Sequence, residues 1–398
     1  MKASLKPVAA LLGLALASAG STTLAAPSTE EMWEVLQKQQ KKIDQLAKEN
    51  KQLAEQLEIS ASMAEEKTSS KGGHGHGSKG DTTIGGYGEL HYNSIDGADN
   101  EIDFHRFVLF FGHEFNENIR FFSELELEHS LSGDGKPGEV ELEQAYVEMD
   151  LNDKHAAKAG LFLMPVGIIN ETHEPNTFYG VERNPVEKNI IPTTWWEAGA
   201  ALSGQLGEGL SYDIAYTSGL NTPTTGSKAY VIRSGRQKVA EAIANDGAIT
   251  GRIKWTGVAG LELAATVQKQ NNLTQGSDAD ASATLFETHA VYQKGPFGLR
   301  ALYAQWDVDG AGAKALGRDE QVGWYIEPAY KFNSSWGVFA RYNEWDNEAG
   351  NAAATKKKQT DVGVNYWPHE DVVLKLDIQR QSGNANTDGF NLGVGYQF

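Results

Sequence analysis

The chain has 398 residues, 35 basic and 53 acidic side chains, a formal net charge of -18, no cysteine, 43 glycines and 38 aromatic residues (9 Trp, 14 Tyr, 15 Phe). The absence of cysteine excludes a disulfide framework, thiolate metal ligation and a thiol nucleophile, and so acidic a chain lacks the basic surface that a nucleic-acid partner requires. At roughly 150 residues per domain the length suggests two or three domains, but one large β-barrel occupies as many.

The first 26 residues read as a secretory signal peptide. Lys2 and Lys6 precede an apolar run from Val8 to Ala17, and small residues offer a cleavage site after Ala25 or Ala26. The apolar run is too short to cross a bilayer as a helix, and no other stretch approaches 18 consecutive apolar residues. An exported chain can still be a membrane protein if it forms a closed barrel.

Residues 27–58 are expected to form a coiled-coil helix. Leu36, Ile43, Asn50 and Leu57 lie seven apart, with Met32, Gln39, Leu46 and Leu53 four residues before each, which is an a/d heptad pattern. A helix of this length is marginal alone, so Leu36, Ile43, Leu46, Leu53 and Leu57 are expected to drive oligomerisation, with Asn50 pinning the register. The heptads do not separate dimer from trimer. Residues 59–81 read as a glycine-rich tether, whose His74 and His76 lack the third ligand of a defined metal site.

From residue 82 to 398 the apolar period becomes two. Ile119, Phe121, Leu125 and Leu127 alternate with Arg120, Glu124, Glu126 and Glu128; Val372, Leu374, Leu376 and Ile378 alternate with Lys375, Asp377 and Gln379. The segments run close to ten residues, longer than the five or six usual in a soluble sandwich and suited to a bilayer crossed at about 45°. Sixteen strands are counted, giving an all-β, 16-stranded antiparallel transmembrane barrel. Its connections alternate short and long. That is the layout of periplasmic turns and extracellular loops, and an even strand count returns both ends to the periplasm. The final strand, Phe390, Leu392, Val394, Tyr396 and Phe398, ends on an aromatic residue. Tyr396 and Phe398 resemble the insertion signal of bacterial outer-membrane barrels.

The stretch Leu142-Glu143-Gln144-Ala145-Tyr146-Val147-Glu148, a tight turn, and then Ala159-Gly160-Leu161-Phe162-Leu163-Met164-Pro165-Val166-Gly167 resembles the strands entering the third loop of the phosphate-selective porin O/P family. The resemblance covers the barrel. It implies a homotrimer of water-filled pores in outer-membrane lipid and lipopolysaccharide, each constricted by an infolded third loop and passing small hydrophilic solutes, with no cofactor. The heptads before the barrel resemble those of trimeric porins with periplasmic coiled coils, and place peptidoglycan within reach.

The candidate constriction is the loop at 165–193, which carries Glu171, His173, Glu174, Arg183 and Lys188. Four prolines mark a fixed conformation, and Phe178 and Tyr179 are placed to pack on the wall. Glu171, His173 and Glu174 are also the residue types of a metal or acid/base cluster, but no further ligand or nucleophile accompanies them, so neither metal nor catalytic site is assigned. Charge facing lipid costs a few kcal/mol, which turns Arg120, Glu124, Glu126, Glu128, Arg252, Lys254, Arg341, Lys375 and Asp377 toward the lumen. Arg252 and Lys254 form either an anion-attracting pair or one neutralised by the glutamates of the third strand. Phosphate-specific members would have arginine ladders leading to a lysine-rich centre; here basic residues are scattered and glutamates point inward. A general or weakly selective channel is therefore expected, accepting anions at a local basic site and preferring cations elsewhere because of the lumen glutamates. The alternatives are a barrel enzyme, for which no G-x-S-x-G motif occurs, and an envelope tether anchored by the barrel. Residues 1–81 hold 10 basic and 10 acidic side chains, so the barrel's 25 and 43 carry the whole net charge.

Overall fold

The computed structural model describes residues 82–276, 280–383 and 387–398. The signal peptide, the heptads from Leu36 to Leu57 and the His74/His76 tract lie outside them. The described chain forms sixteen strands: β1 Thr82–Ile95, β2 Glu101–Asn116, β3 Ile119–Glu128, β4 Val140–Asn152, β5 His155–Leu163, β6 Trp196–Gly207, β7 Leu210–Thr217 and β8 Ala248–Val258. They continue with β9 Leu261–Gln270, β10 Ser282–Lys294, β11 Phe297–Asp309, β12 Glu320–Lys331, β13 Trp336–Asp346, β14 Lys357–His369, β15 Val372–Ser382 and β16 Gly389–Gln397. Each pairs antiparallel with its chain neighbours, and β1 closes on β16 in a register running from Tyr87 opposite Gln397 to Ile95 opposite Gly389. Closure leaves no strand edge, the condition for a sheet to exist in lipid.

The alternation read from the sequence is the alternation of the wall. Ile84, Ile253, Val267, Val362 and Ile378 are exposed on the outer face. Glu124, Glu126, Arg252, Arg341, Lys375 and Asp377 are buried on the inner one. This inverts the pattern of a soluble protein, and fits a solvent of hydrocarbon outside and a polar interior within. At the short-turn end the outer surface carries an aromatic girdle. Phe297 meets Tyr330 edge-on at 5.0 Å, Tyr330 meets Phe332 at 5.3 Å, and Trp336 stacks on Tyr366 at 4.5 Å. Such rings sit at headgroup level, with one end apolar and the other wet. Phe398 closes the seam, its N–H donating to Gly86 O at 2.9 Å and its carbonyl accepting from Gly86 N at 3.0 Å.

Long connections turn inward, the third and fourth most deeply, and Leu273 and Ala281 (between β9 and β10) and Ala313 (between β11 and β12) are buried with them. The third loop (164–195, between β5 and β6) contains a short helix α1 Val186–Asn189, and the fourth (218–247, between β7 and β8) a 3-10 turn at Ile232–Gly235. Met164, Val166, Val186, Ile190, Ile191 and Trp195 of the third loop and Leu220, Tyr230 and Ile232 of the fourth share one apolar cluster with Leu285, Leu302, Trp306, Tyr325 and Trp345 of β10–β13. The barrel thus holds a small protein core inside its wall. The sequence reading placed only the third loop inside.

Candidate functional site: the loop-lined lumen

The third loop is fastened at its base by Asn170. Its amide nitrogen donates to Met164 O at 2.8 Å and Trp195 O at 2.9 Å, and its oxygen accepts Trp195 N–H at 2.8 Å, so the two ends of the loop are clipped together. Gly167 then turns the chain at φ +79°, where a Cβ would stand 2.6 Å from Glu187 Oε2. Glu187 is the inner clamp. Its fully buried carboxylate accepts Ile168 N–H and Ile169 N–H, both at 2.8 Å, and Tyr325 O–H at 2.7 Å from the wall. Burial pushes its carboxyl above the usual range, while these donors pull it back. Nothing in the sequence distinguished Glu187 from other loop acids.

From this base the loop crosses the lumen and bonds to wall residues around much of the circumference. Arg106 of β2 donates to His173 O at 2.6 Å and to Glu89 at 2.5 Å. Lys375 donates to Gly180 O at 2.8 Å and lies 3.8 Å over the Phe178 ring, while Asp377 accepts Val181 N–H at 2.7 Å. Tyr179 stacks on Phe339 at 5.6 Å, so both loop aromatics pack on the wall as expected. Trp306 donates to Ile190 O at 3.0 Å. Arg341 is held between Glu327 at 3.1 Å and Asp361 at 3.0 Å.

Several residues expected to line a water path therefore point inward but are covered. Glu124, His173, Arg341, Lys375 and Asp377 are each at most 5% exposed, because the loop lies against them. The loop's acidic residues and histidine do not converge: Glu171 pairs with Arg252, whereas His173 turns to Glu124 at 3.2 Å and Glu143 at 3.1 Å. The other His173 nitrogen faces Asn170 O at 3.1 Å. An imidazolium, with both ring N–H groups donating, fits this surround. Burial alone would lower the pKa of His173, but the two carboxylates outweigh it and raise it to about 10. Glu174 does not join them, and its Oε2 is buried without a hydrogen-bond partner.

The pair Arg252 and Lys254 is neutralised, though not by the third strand. Arg252 is bound by Asp213 at 2.8 Å and by Glu171, and Lys254 lies 3.9 Å from Glu262. Arg120 is engaged by Glu148 and Asp150 near the short turns. The glutamates of β3 instead face β4. Glu126, Glu141 and Glu143 bring carboxylate oxygens within 4.8 Å of one another, as do Glu128, Glu139 and Glu141.

Opposite this acidic stripe lies a basic group only partly found from sequence. Arg183 donates to Thr194 Oγ1 at 2.7 Å, Arg233 to Thr193 O at 2.9 Å and Lys188 O at 2.7 Å, and Arg236 to Thr194 O. Three guanidiniums from two loops thus converge on two consecutive threonines. Lys188 remains exposed beside them. All their protein acceptors are neutral oxygens, and among the described residues none has a carboxylate within 4.0 Å. Among the described residues, the Nε atoms of Arg183 and Arg236 have no hydrogen-bond partner. Burial, and then the neighbouring guanidiniums, lower all three pKa values, that of Arg233 to about 9. Glu126, Glu128, Glu141 and Glu143 act on them electrostatically without closing into ion pairs.

Residues 85–389 match the family model of the phosphate-selective porins O and P. The chain belongs to this family. It is an outer-membrane channel protein. It is similar to an uncharacterized protein of Aquifex aeolicus (strain VF5), 32% identical over 359 residues and covering 77% of each chain. Among solved structures it resembles the anion-selective porin from Comamonas acidovorans, with a TM-score of 0.59, 12% identity and coverage of 80% of this chain and 100% of that one. It also resembles the trimer form of OmpT, an outer membrane protein of Vibrio cholerae, with a TM-score of 0.56, 12% identity and coverage of 81% and 100%. At these identities the two structures share the fold.

Proposed function

We propose that this porin is a passive channel for small hydrophilic anions, with its narrowest passage between the third loop and the β3–β4 wall, bounded on one side by the ion pair that Lys238 of the fourth loop makes with Glu139 and Glu141. The observation that carries this reading is the group Arg183, Arg233 and Arg236, three guanidiniums with no carboxylate partner among the described residues. A guanidinium offers several N–H donors in a fixed plane and binds carboxylate or phosphate oxygens well. In a confined site such a group outweighs the acidic charge spread over the barrel, because a permeating ion responds most to the nearest field. The facing glutamates keep the site from holding an anion too long. Glu171, Arg252, His173, Lys375 and Asp377 take the role of fixing the loop, and Arg183, Lys188 and Glu128 that of meeting the solute, with the buried Glu126 acting through its field.

The barrel is proposed to act as a homotrimer, in line with the trimer form of the Vibrio cholerae protein, with residues 27–58 as a periplasmic coiled coil behind a signal peptide. The test is the reversal potential of the purified protein in a planar bilayer under a KCl gradient. Wild type is expected to prefer chloride and to close in three steps. Replacing all three arginines by alanine should reverse the preference, since the glutamates then dominate. An unchanged reversal potential in the triple variant would overturn the anion site, and single-step closure would overturn the trimeric pore.

A further inference from the structure

A second cluster of ionisable side chains lies on the inner wall toward the long-loop end, and neither the anion site nor the docking of the third loop uses it. Asp103 and His105 stand on β2, and His129 follows the end of β3. Asp103 Oδ2 is 3.3 Å from His105 Nδ1 and 2.8 Å from His129 Nδ1, and one ligand atom from each residue lies within 4.8 Å of the others. The two imidazoles meet edge-on at 5.8 Å.

Two backbone irregularities bring these groups together. The register of β1 against β2 shifts between Glu89 and His91, where Glu89 faces Arg106 and His91 faces Asp103, so His105 and Arg106 both turn into the lumen. His129 and Ser130 then take left-handed conformations, φ +51° and +57°, uncommon for residues with a side chain. This turn folds the His129 ring back over Asp103, with its N–H bonded to His105 O at 3.1 Å. His105 is backed by the His91 ring, stacked at 4.7 Å, and His91 is itself engaged by Glu89 at 3.2 Å and Glu182 of the third loop at 3.0 Å.

We propose that Asp103, His105 and His129 form a binding site for a divalent transition-metal ion of the zinc class on the lumen wall. Two imidazole nitrogens and one carboxylate oxygen are the donor set of a three-ligand site with a coordination position left to water. At metal–ligand distances of roughly 2.0–2.1 Å, tetrahedral ligands stand about 3.3 Å apart. The Asp103–His105 separation already matches this, and the Asp103–His129 separation needs about half an ångström more. The three side chains are partly exposed to the lumen, with 15% exposure for Asp103 and 31% for each histidine, which leaves a path of entry. Hard cations such as Mg2+ prefer all-oxygen ligands and fit this set poorly. Because His91 links the cluster to Glu182, a bound ion would sit beside the third loop and add positive charge to the passage.

The deciding measurement is calorimetric titration of ZnCl2 into the purified, chelator-stripped full-length protein in detergent with excess Mg2+ present. One site per chain is expected, weakened at least tenfold by His105→Asn and by His129→Asn and retained when His74 and His76 are both replaced by asparagine. Zinc binding that survives both single variants, or that is lost with His74 and His76 instead, would overturn the proposal and leave a plain hydrogen-bonded triad. If either variant fails to fold, protection of His105 and His129 from diethyl pyrocarbonate by Zn2+ in the unaltered protein decides the same question by peptide mass spectrometry, and equal labelling with and without Zn2+ counts against the site.

Discussion

The third loop is held by two unlike attachments. Against β10–β13 it packs through Val186, Ile190, Ile191 and Trp195 on Trp306, Tyr325 and Trp345, an interior from which water is excluded. Against β1–β4 it is held by charge, through His173 between Glu124 and Glu143, Arg106 on the His173 carbonyl, and His91 on Glu182. Apolar packing contains no group that titrates and is insensitive to pH; buried ionic contacts hold only while every partner keeps its charge. One end of the loop is therefore an anchor and the other a conditional fastening, and the arginine group lies between them.

The largest effect should come from weakening the anchor. Trp306→Ala removes a fully buried ring and the donor to Ile190 O, at a cost of about 3–5 kcal/mol. Heat-modified mobility is expected to shift to lower temperature, with a larger and noisier single-channel conductance. If conductance stays at the wild-type value, the apolar cluster does not position the loop.

A smaller, pH-dependent effect is expected at the fastening. The folded-state pKa of His173 is raised from its ordinary 6.5 to about 10, so its contribution is complete below pH 6.5 and is lost as pH rises through about 10. Conductance recorded from pH 7 to 11 should rise near pH 10 in wild type, and His173→Gln should already be raised at pH 7 and flatter above it. Identical profiles for the two proteins would assign the rise to other groups. The smallest effect is expected at Arg120→Ala. Its side chain is 39% exposed and its contacts to Glu148 and Asp150 are close to the short turns, away from both attachments. Neither the unfolding midpoint nor the reversal potential should move measurably; a clear shift in either would place Arg120 in the passage.

The same contrast explains what was legible in the sequence. Strand number, inward charge and the short and long connections follow from alternation, because lipid and lumen impose opposite demands on successive residues. The sixteen strands counted from that alternation are the sixteen of the closed barrel. Alternation turns Arg252 and Lys254 inward, but their partners Asp213, Glu171 and Glu262 depend on strand register and on the path of the third loop. Arg233 and Arg236 belong to a connection without periodicity, and only its inward fold brings them to Arg183. Asp103, His105 and His129 are ordinary strand-end residues until a bulge and a left-handed turn aim them at one another. Glu187 resembles any loop acid until Ile168, Ile169 and Tyr325 surround it.

The apolar cluster inside the wall has a geometric consequence. A sixteen-stranded cylinder would offer a route along its axis, but the side bounded by β10–β13 is filled with side chains, and the third loop covers much of the rest. The proposed opening is eccentric, pressed toward β3 and β4. A solute would meet one sector of the barrel, while the remaining strands serve as scaffolding for the loop. Changes of specificity would then concentrate in that sector and in the two loops facing it, leaving the circumference of the cylinder unaltered.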